Sequence, residues 1–229
     1  MLEFRAAHAL ARDAVHAALD TQALAADITD IGIGDPAIVN SRASSRGEYL
    51  RRPDLGRLPA DLSGIPNSGA ELGFVLCDGL SPAALMEHGA ALLRMLVDIT
   101  GTRASIAPPV IATQARVALG DHIGQAMGVQ TVVVLIGERP GLSVVASIGI
   151  YLTHLPRPGR TDAERNCVSN VHPPDGLGYL EAARITDALI TGARHLGRSG
   201  VDLKDTSADA LGTAGSITVE STPIPPGPA

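Results

Sequence analysis

The chain has 229 residues, of which 45% are hydrophobic, and its formal net charge is −6 at pH 7. A chain of this length and apolar content can bury the core of one ordinary domain. The acidic balance argues against nucleic acid as a partner, because a phosphate backbone requires a basic face. No run of about eighteen apolar residues occurs, so the sequence predicts no membrane span. Two cysteines, Cys77 and Cys167, are too few for a zinc site or a disulfide framework. We therefore expect a cytoplasmic protein without a metal site.

The N-terminal part of the chain is predicted to be helix followed by loop. Apolar residues recur at helical spacing from Leu2 to Leu19 and predict a first helix. Between Ile31 and Leu62 the content of Gly, Pro, Ser and Arg rises, which is typical of loop with short turns of helix. The arginines of this stretch alternate with acidic residues, and we interpret it as a solvated or interface segment.

From Leu72 onward, short apolar runs alternate with longer helical ones. The segment Ser105–Ala112 is ambiguous, because Pro108 and Pro109 cannot serve in a central strand. Strands are predicted at Leu72–Cys77, Thr131–Ile136 and Ile148–Leu152, and helices at Ala83–Val97 (with Ser81 as N-cap and Pro82 at the first position), Val117–Met127 and Tyr179–Leu196, the last two ended by Gly128 and Gly197.

This alternation predicts an α/β fold, a Rossmann-like three-layer domain with a mainly parallel sheet, preceded by a small helical N-terminal region. The predicted boundaries are 1–66 for the helical and loop N-terminal region, 67–205 for the α/β domain and 206–229 for a disordered tail. In sheets of this kind, ligands bind outside the carboxyl ends of the strands. The segments Asp78–Gly79 and Gly137–Gly141 are therefore the expected location of a ligand.

Polar residues are concentrated at the second of these segments. Gly137–Gly141 carries Glu138 and Arg139 at the tip of a tight turn, where glycine lets a ligand approach the backbone. From the residues alone, a charged surface turn with a local ion pair is the simpler interpretation. The glycine-rich signatures of dinucleotide and P-loop sites are not present in the sequence.

A second concentration of polar residues lies at Gly159–Asn170, which combines acids, arginines, two carboxamides and Cys167. A loop this dense in functional groups is costly unless a ligand or partner satisfies them. As a nucleophile, Cys167 would need a neighbouring base, for which His154 and His172 are the candidates. A packed, unreactive thiol is the favoured alternative.

Four segments of the chain together resemble one protein family, the light chain of ethanolamine ammonia-lyase. They occur in the family's order and spacing, and the resemblance runs from about Leu2 to about Lys204. The GERPG turn and the RTDAERNCVSN stretch are highly specific in combination. The segments are SRASSRGEYLRRPDLGR (Ser41–Arg57), DGLS (Asp78–Ser81), ARVALGDHIGQAMGVQTVVVLIGERPGLS (Ala115–Ser143) and GRTDAERNCVSNV (Gly159–Val171).

The resemblance implies a small subunit that pairs with a large barrel subunit in a hetero-oligomer. It implies adenosylcobalamin as the cofactor, bound at the interface between the two subunits. The implied reaction is the radical conversion of ethanolamine to acetaldehyde and ammonia, in which the cofactor supplies the radical chemistry. No catalytic residue is expected in this chain, since the family's large subunit holds the amino alcohol. The implied compartment is the cytoplasm, with enclosure in a bacterial microcompartment as an option.

Carried over by position, the family's small-subunit contacts with cobalamin fall at Val117, Glu138 and Cys167. Val117 would offer an apolar contact, and Glu138 would accept hydrogen bonds from amides on the corrin rim. Cys167 would pack as a small polarizable group. The segment Asp121–Gly124 does not match the D-x-H-x-x-G motif of proteins that replace the cofactor's own base with histidine, which agrees with a family that keeps that base on cobalt.

Two other functions are consistent with parts of the sequence. One is a non-catalytic cobalamin-binding or assembly protein of the same fold, against which the intact GERPG and RNC segments argue. The other is a stand-alone α/β enzyme that uses Cys167, which would require a base that the sequence does not identify.

Overall fold

A computed structural model describes residues 15–141 and 146–203 of the chain. The predicted first helix lies largely outside the described residues, and the predicted tail 206–229 lies wholly outside them. The described helices are α1 (Thr21–Thr29), α2 (Arg46–Arg51), α3 (Pro82–Thr100), α4 (Leu119–Met127) and α5 (Tyr179–Leu196), and the strands are β1 (Ala37–Asn40), β2 (Leu72–Cys77), β3 (Val110–Thr113), β4 (Thr131–Gly137), β5 (Ile148–His154) and β6 (Asn166–Val171).

The strands form one mixed sheet in the order β1-β3-β2-β4-β5-β6. The neighbours from β1 to β4 are parallel, whereas β5 is antiparallel to β4 and β6 is antiparallel to β5. The prediction of an α/β fold with a mostly parallel sheet is confirmed, but the sheet is not parallel throughout. The segment between β4 and β5 contains no helix in its described residues, and a parallel pair requires a crossover of about a dozen residues or more.

Two strands lie where the sequence predicted loop. β1 falls inside the stretch Ile31–Leu62, and it forms the edge of the sheet beside β3. β6 overlaps Gly159–Asn170 and extends to Val171, and only two of its residues, Val168 and Val171, are buried. Both are edge strands; β1 has only four residues and half of the residues of β6 are polar, so neither gives the hydrophobic signal that marks a strand in sequence.

The ambiguous proline segment resolves into a strand that begins immediately after its prolines. β3 starts at Val110, and the Pro109 carbonyl accepts a hydrogen bond from the N–H of Ala37 on β1 at 3.0 Å. Proline lacks a donor but keeps its acceptor, so it is tolerated at the entry to a strand.

The sheet is covered on both faces by apolar residues that alternate along the strands. Phe74 and Leu76 point to the face that carries α1, α3 and α5, while Val75 and Cys77 point to the face that carries α4. All six residues of β2 are buried. Each large side chain that is fully buried in this way contributes roughly 1.5–3 kcal/mol of transfer free energy.

The predicted N-cap of α3 and the glycine ends of α4 and α5 are confirmed, whereas α3 continues past Val97 to Thr100 and α4 begins at Leu119 rather than at Val117. The Ser81 side chain caps α3 by accepting a hydrogen bond from the N–H of Ala84 at 3.2 Å, and Pro82 is the first helical residue. Gly128, with φ of +68°, ends α4 in the left-handed conformation that glycine adopts most easily. Among the helices of residues 15–141 and 146–203, none combines the length and apolar character that a bilayer span requires.

Candidate functional site

A cleft of about 430 Å³ lies at the carboxyl ends of the central strands, where the sequence predicts a ligand. Its walls come from the loops that follow β2, β3 and β4, together with α2 and β5. The lining residues are Tyr49, Gly79, Leu80, Arg116, Val117, Ile136, Gly137, Glu138, Arg139 and Tyr151.

Glu138 is fixed in the cleft wall through one of its two carboxylate oxygens. Oε2 accepts a hydrogen bond from the Ser147 hydroxyl at 2.7 Å and a second from the N–H of Asn170 at 3.2 Å. The carboxylate therefore connects the turn after β4 to β5 and β6. No residue in the described part of the chain donates to Oε1, so this oxygen is available as an acceptor at the cleft.

The loop that carries Val117 is held by a buried carboxylate from the neighbouring strand end. Asp78 accepts hydrogen bonds from the N–H groups of Gln114 at 2.7 Å and Ala115 at 2.9 Å. Burial raises the pKa of Asp78, and these two donors oppose that shift. Gln114 has φ of +53°, a left-handed conformation that costs about 1–2 kcal/mol for a residue with a Cβ. Strain of this kind is characteristic of functional loops.

Two arginines lie against the ring of Tyr49 beside the same loop. The guanidinium carbons of Arg46 and Arg116 are 4.8 Å and 4.4 Å from the ring centroid, respectively. The Tyr49 hydroxyl donates to the carbonyl of Ala115 at 3.1 Å, and burial raises the pKa of this phenol. The stack joins α2, in the N-terminal region, to the wall of the cleft.

Cys167 lies next to the cleft rather than in its lining. On the antiparallel strands β5 and β6, Tyr151 and Cys167 are directly paired, and the Tyr151 side chain lines the cleft. Cys167 is exposed in this single chain, but partial desolvation beside Tyr151 raises the pKa of its thiol, while a hydrogen bond with the Tyr151 hydroxyl acts in the opposite direction.

The ethanolamine ammonia-lyase light-chain family model matches residues 1–204 of the chain. An ethanolamine ammonia-lyase small subunit from Rhodococcus erythropolis is 67% identical over 221 residues, which is 96% of this chain and 86% of the relative. A second, from Rhodopseudomonas palustris (strain BisA53), is 49% identical over 220 residues, which is 93% of this chain and 84% of the relative. The chain belongs to the ethanolamine ammonia-lyase light-chain family.

Membership of this family confirms the resemblance predicted from the four sequence segments. The ethanolamine ammonia-lyase family is one of carbon–nitrogen lyases, and the relatives are named as small subunits, which implies a large-subunit partner. The cleft brings together Val117 and Glu138, two of the three residues that the resemblance implies as cofactor contacts. Tyr49, Arg116 and Tyr151 were not singled out from the sequence, although the first two lie within the matched segments.

For this light chain, no histidine within residues 15–141 and 146–203 is hydrogen-bonded to the Cys167 thiol. Nδ1 of His154 is paired with the Thr131 hydroxyl at 2.8 Å, and Nε2 of His172 is paired with Oδ1 of Asn170 at 2.9 Å. Neither imidazole is bonded to the sulfur within the described part of the chain. The arrangement argues against a stand-alone thiol enzyme.

Most polar groups of the segment Gly159–Asn170 satisfy one another. Glu164 accepts hydrogen bonds from the N–H and the hydroxyl of Thr161, forming a capping box, and it pairs with Arg160. Arg165 is buried and pairs with Asp121 and Asp162. The density of functional groups that suggested a ligand loop is therefore explained largely by internal hydrogen bonds.

Proposed function

We propose that this chain is the small subunit of an adenosylcobalamin-dependent ethanolamine ammonia-lyase, and that its cleft helps to bind the cofactor at the interface with the large subunit. The observation that carries the proposal is the cleft at the carboxyl ends of the strands, which Val117 and Glu138 line together. Its volume of about 430 Å³ suits a drug-sized ligand, and adenosylcobalamin is much larger. A surface that covers only part of the cofactor supports a shared site between two subunits.

The side chains around the cleft have the chemistry that a corrinoid requires. The Glu138 carboxylate keeps one oxygen without a donor from the described residues, and it would accept hydrogen bonds from peripheral amides of the ring. The half-buried Val117 offers apolar surface to the macrocycle. Cys167, with its pKa raised, would pack as a neutral thiol beside Tyr151.

In this proposal the chain binds and orients, and it carries no catalytic residue. When bound, adenosylcobalamin supplies the radical that converts ethanolamine to acetaldehyde and ammonia. Glu138 is already anchored by Ser147 and the Asn170 N–H, so little side-chain entropy is lost when it accepts a further hydrogen bond. The Asp78 hydrogen bonds hold the Val117 loop in the same way.

The proposal extends to the organisation of the chain. We propose that residues 67–205 are the cobalamin-contacting domain and have a Rossmann-like three-layer fold, which the apolar packing on both faces of the sheet supports. Residues 1–66 would form an N-terminal region that also contributes β1 to the sheet edge. The assembly would be a hetero-oligomer with the large subunit in the cytoplasm, with a microcompartment as an optional location.

The decisive experiment measures acetaldehyde release from ethanolamine and adenosylcobalamin, with the chain alone and with a large subunit of the family. Activity is expected only in the mixture. Glu138→Gln keeps the size of the side chain while removing its charge, and it should weaken adenosylcobalamin binding about tenfold, since a hydrogen bond to a charged group contributes roughly 1.5–3 kcal/mol. Glu181→Gln, on the exposed first turn of α5, is the matched control and should bind normally.

Two outcomes would contradict the proposal. A mixture that forms a stable complex but releases no acetaldehyde would favour the non-catalytic cobalamin-binding or assembly protein. Turnover by the chain alone, abolished by Cys167→Ala, would favour a stand-alone enzyme instead.

A further inference from the structure

We infer that Arg116, stacked on Tyr49 at the edge of the cleft, binds the phosphate of the cofactor's nucleotide loop. This inference rests on the proposed function, because it takes a cobalamin as the occupant of the cleft. It adds the orientation of the cofactor, with its anionic group at the arginine side and its neutral amides at the Glu138 side.

Arg116 is a half-buried cation that has no counter-ion in the described part of the chain. Its guanidinium makes no hydrogen bond and no ion pair with residues 15–141 or 146–203, and its Nε is buried without a partner. The neighbouring Arg46 differs, because its Nη1 is 3.2 Å from the Asp78 carboxylate. A guanidinium that is partly removed from water and unpaired is costly, and an anion delivered by a ligand would offset that cost.

The guanidinium is held in position by the protein before any ligand binds. Its carbon lies 4.4 Å from the centroid of the Tyr49 ring, and that ring is itself fixed by the hydrogen bond from its hydroxyl to Ala115. The backbone N–H of Arg116 donates to the carbonyl of Gly56 at 2.8 Å. A Cβ at Gly56 would lie 2.9 Å from the Tyr49 ring and 3.0 Å from Cγ of Arg116, so the glycine lets this stack form.

The distribution of charged side chains around the cleft determines which group of a cobalamin would bind to Arg116. Arg116 and the exposed Arg139 give one part of the lining positive charge, and Glu138 gives another part negative charge. The peripheral side chains of a cobalamin are neutral carboxamides, and the phosphodiester of its nucleotide loop is its one anionic group. The planar guanidinium pairs with phosphate oxygens through two parallel hydrogen bonds, which a carboxamide cannot reproduce.

The test compares two inert corrinoids, cyanocobalamin and cyanocobinamide, of which the second lacks the phosphate and the nucleotide. Binding to the assembled two-subunit complex is measured by equilibrium dialysis with detection of corrinoid absorbance. Arg116→Met, which keeps an unbranched stem on the Tyr49 ring, should weaken cyanocobalamin binding about tenfold or more and leave cyanocobinamide within about twofold. Added salt should weaken cyanocobalamin binding to the unaltered complex more than to the variant complex.

Two further variants make the result specific. Arg116→Lys keeps the charge but not the planar fork, and it should retain part of the preference for cyanocobalamin. Arg198→Met removes an exposed arginine that pairs with Asp202 after α5, and it should change neither affinity. Size-exclusion chromatography of each variant with the large subunit measures assembly separately.

The outcomes separate this inference from the proposed function. Equal weakening of both corrinoids by Arg116→Met, or no weakening of either, would overturn the phosphate assignment. Loss of assembly in both the Arg116→Met and Arg116→Lys variants would overturn it in favour of a contact with the large subunit. If the unaltered complex binds neither corrinoid, the proposed function itself fails.

Discussion

Arg46 and Asp78 form an ion pair in which Nη1 and Oδ2 are 3.2 Å apart, and their side chains are only 13% and 4% exposed. Arg46 belongs to α2 in the N-terminal region, and Asp78 directly follows β2. The same carboxylate accepts the N–H groups of Gln114 and Ala115 after β3. One buried side chain therefore joins three segments that are distant in sequence, and it does so beside the cleft.

We expect Asp78→Ala to destabilise the chain by about 3 kcal/mol. Removing one partner of a buried ion pair leaves the other charge uncompensated, a change that costs roughly 3–5 kcal/mol. The two backbone donors after β3 also lose their acceptor. Urea unfolding followed by circular dichroism measures the difference.

The matched control for this variant is Asp54→Ala. Asp54 pairs with Arg52 at 2.7 Å, but both side chains are 58% exposed. Ion pairs between exposed side chains contribute little to stability because water and salt screen them, so the control should remain close to the unaltered protein. If Asp54→Ala and Asp78→Ala lower the free energy of unfolding equally, the buried Arg46–Asp78 pair stabilises the chain no more than an exposed pair does.

Gly79 is expected to tolerate no side chain, although it lies in a loop. Its φ is +55°, and an added Cβ would lie 2.2 Å from the carbonyl oxygen of Gly137. Gly79→Ala should cost about 3 kcal/mol, the sum of left-handed strain and a clash that must move the backbone at the cleft. Gly69→Ala is the control, because Gly69 has φ of +63° but nothing within 4 Å of the added atom.

Comparison of the two alanine variants isolates the steric contact from the backbone strain. Gly69→Ala should cost about 1 kcal/mol, the strain alone. Thermal unfolding of both variants gives the difference, which should favour Gly69→Ala by several degrees for a domain of this size. Similar melting temperatures for the two variants would contradict a steric clash between the added Cβ at Gly79 and the carbonyl oxygen of Gly137.

The central elements were predictable from sequence because their burial leaves a periodic signal. β2 is buried at every position, and its bounds, Leu72–Cys77, match the prediction. The bounds of α5, Tyr179–Leu196, also match, since an amphipathic run ends at a glycine. Strand β1 was missed because it has only four residues, and β6 because half of its residues are polar; the position of each also depends on a neighbouring strand that the local sequence does not specify.

The cleft was predictable in its location but not in its full set of residues. The ends of β2 and β4 indicated where a ligand should lie, and the family resemblance indicated Val117 and Glu138. Tyr49 belongs to a segment predicted as loop, and its approach to the cleft depends on the contact of Arg46 with Asp78. Contacts of this kind join distant parts of the chain and leave no pattern in a local window.

Glu164 is expected to make stability depend on pH in the acid range. Hydrogen bonds from the Thr161 N–H, from Arg160 and from the Thr161 hydroxyl lower the pKa of Glu164 to about 2. The folded pKa lies below the unfolded value, so the contribution is present above the unfolded pKa and is lost as pH falls toward about 2. The difference in unfolding free energy between the unaltered chain and Glu164→Gln should therefore be largest above pH 5 and shrink at lower pH. A difference that stays constant from pH 6 to pH 3 would contradict the assignment.

The Cys167 thiol is expected to react slowly, as suits a packing role. The thiol is exposed, but partial desolvation beside Tyr151 raises its pKa, so the thiolate fraction at pH 7.5 should be smaller than that of a free cysteine. Alkylation with iodoacetamide, followed by mass spectrometry of the intact chain, should be at least about twofold slower than for a cysteine peptide. Cys77 is an internal control, because it is buried and should react only after unfolding.

A Tyr151→Phe variant tests the origin of this reactivity. The hydrogen bond with the Tyr151 hydroxyl lowers the pKa of Cys167 against the larger effect of burial. Without the hydroxyl, the midpoint of the alkylation rate against pH should therefore move to a higher pH, and the rate at pH 7.5 should fall further. If the unaltered chain has its midpoint at a lower pH than free cysteine, the Cys167 thiolate is activated. That result would support Cys167 as a nucleophile and would contradict the packing role.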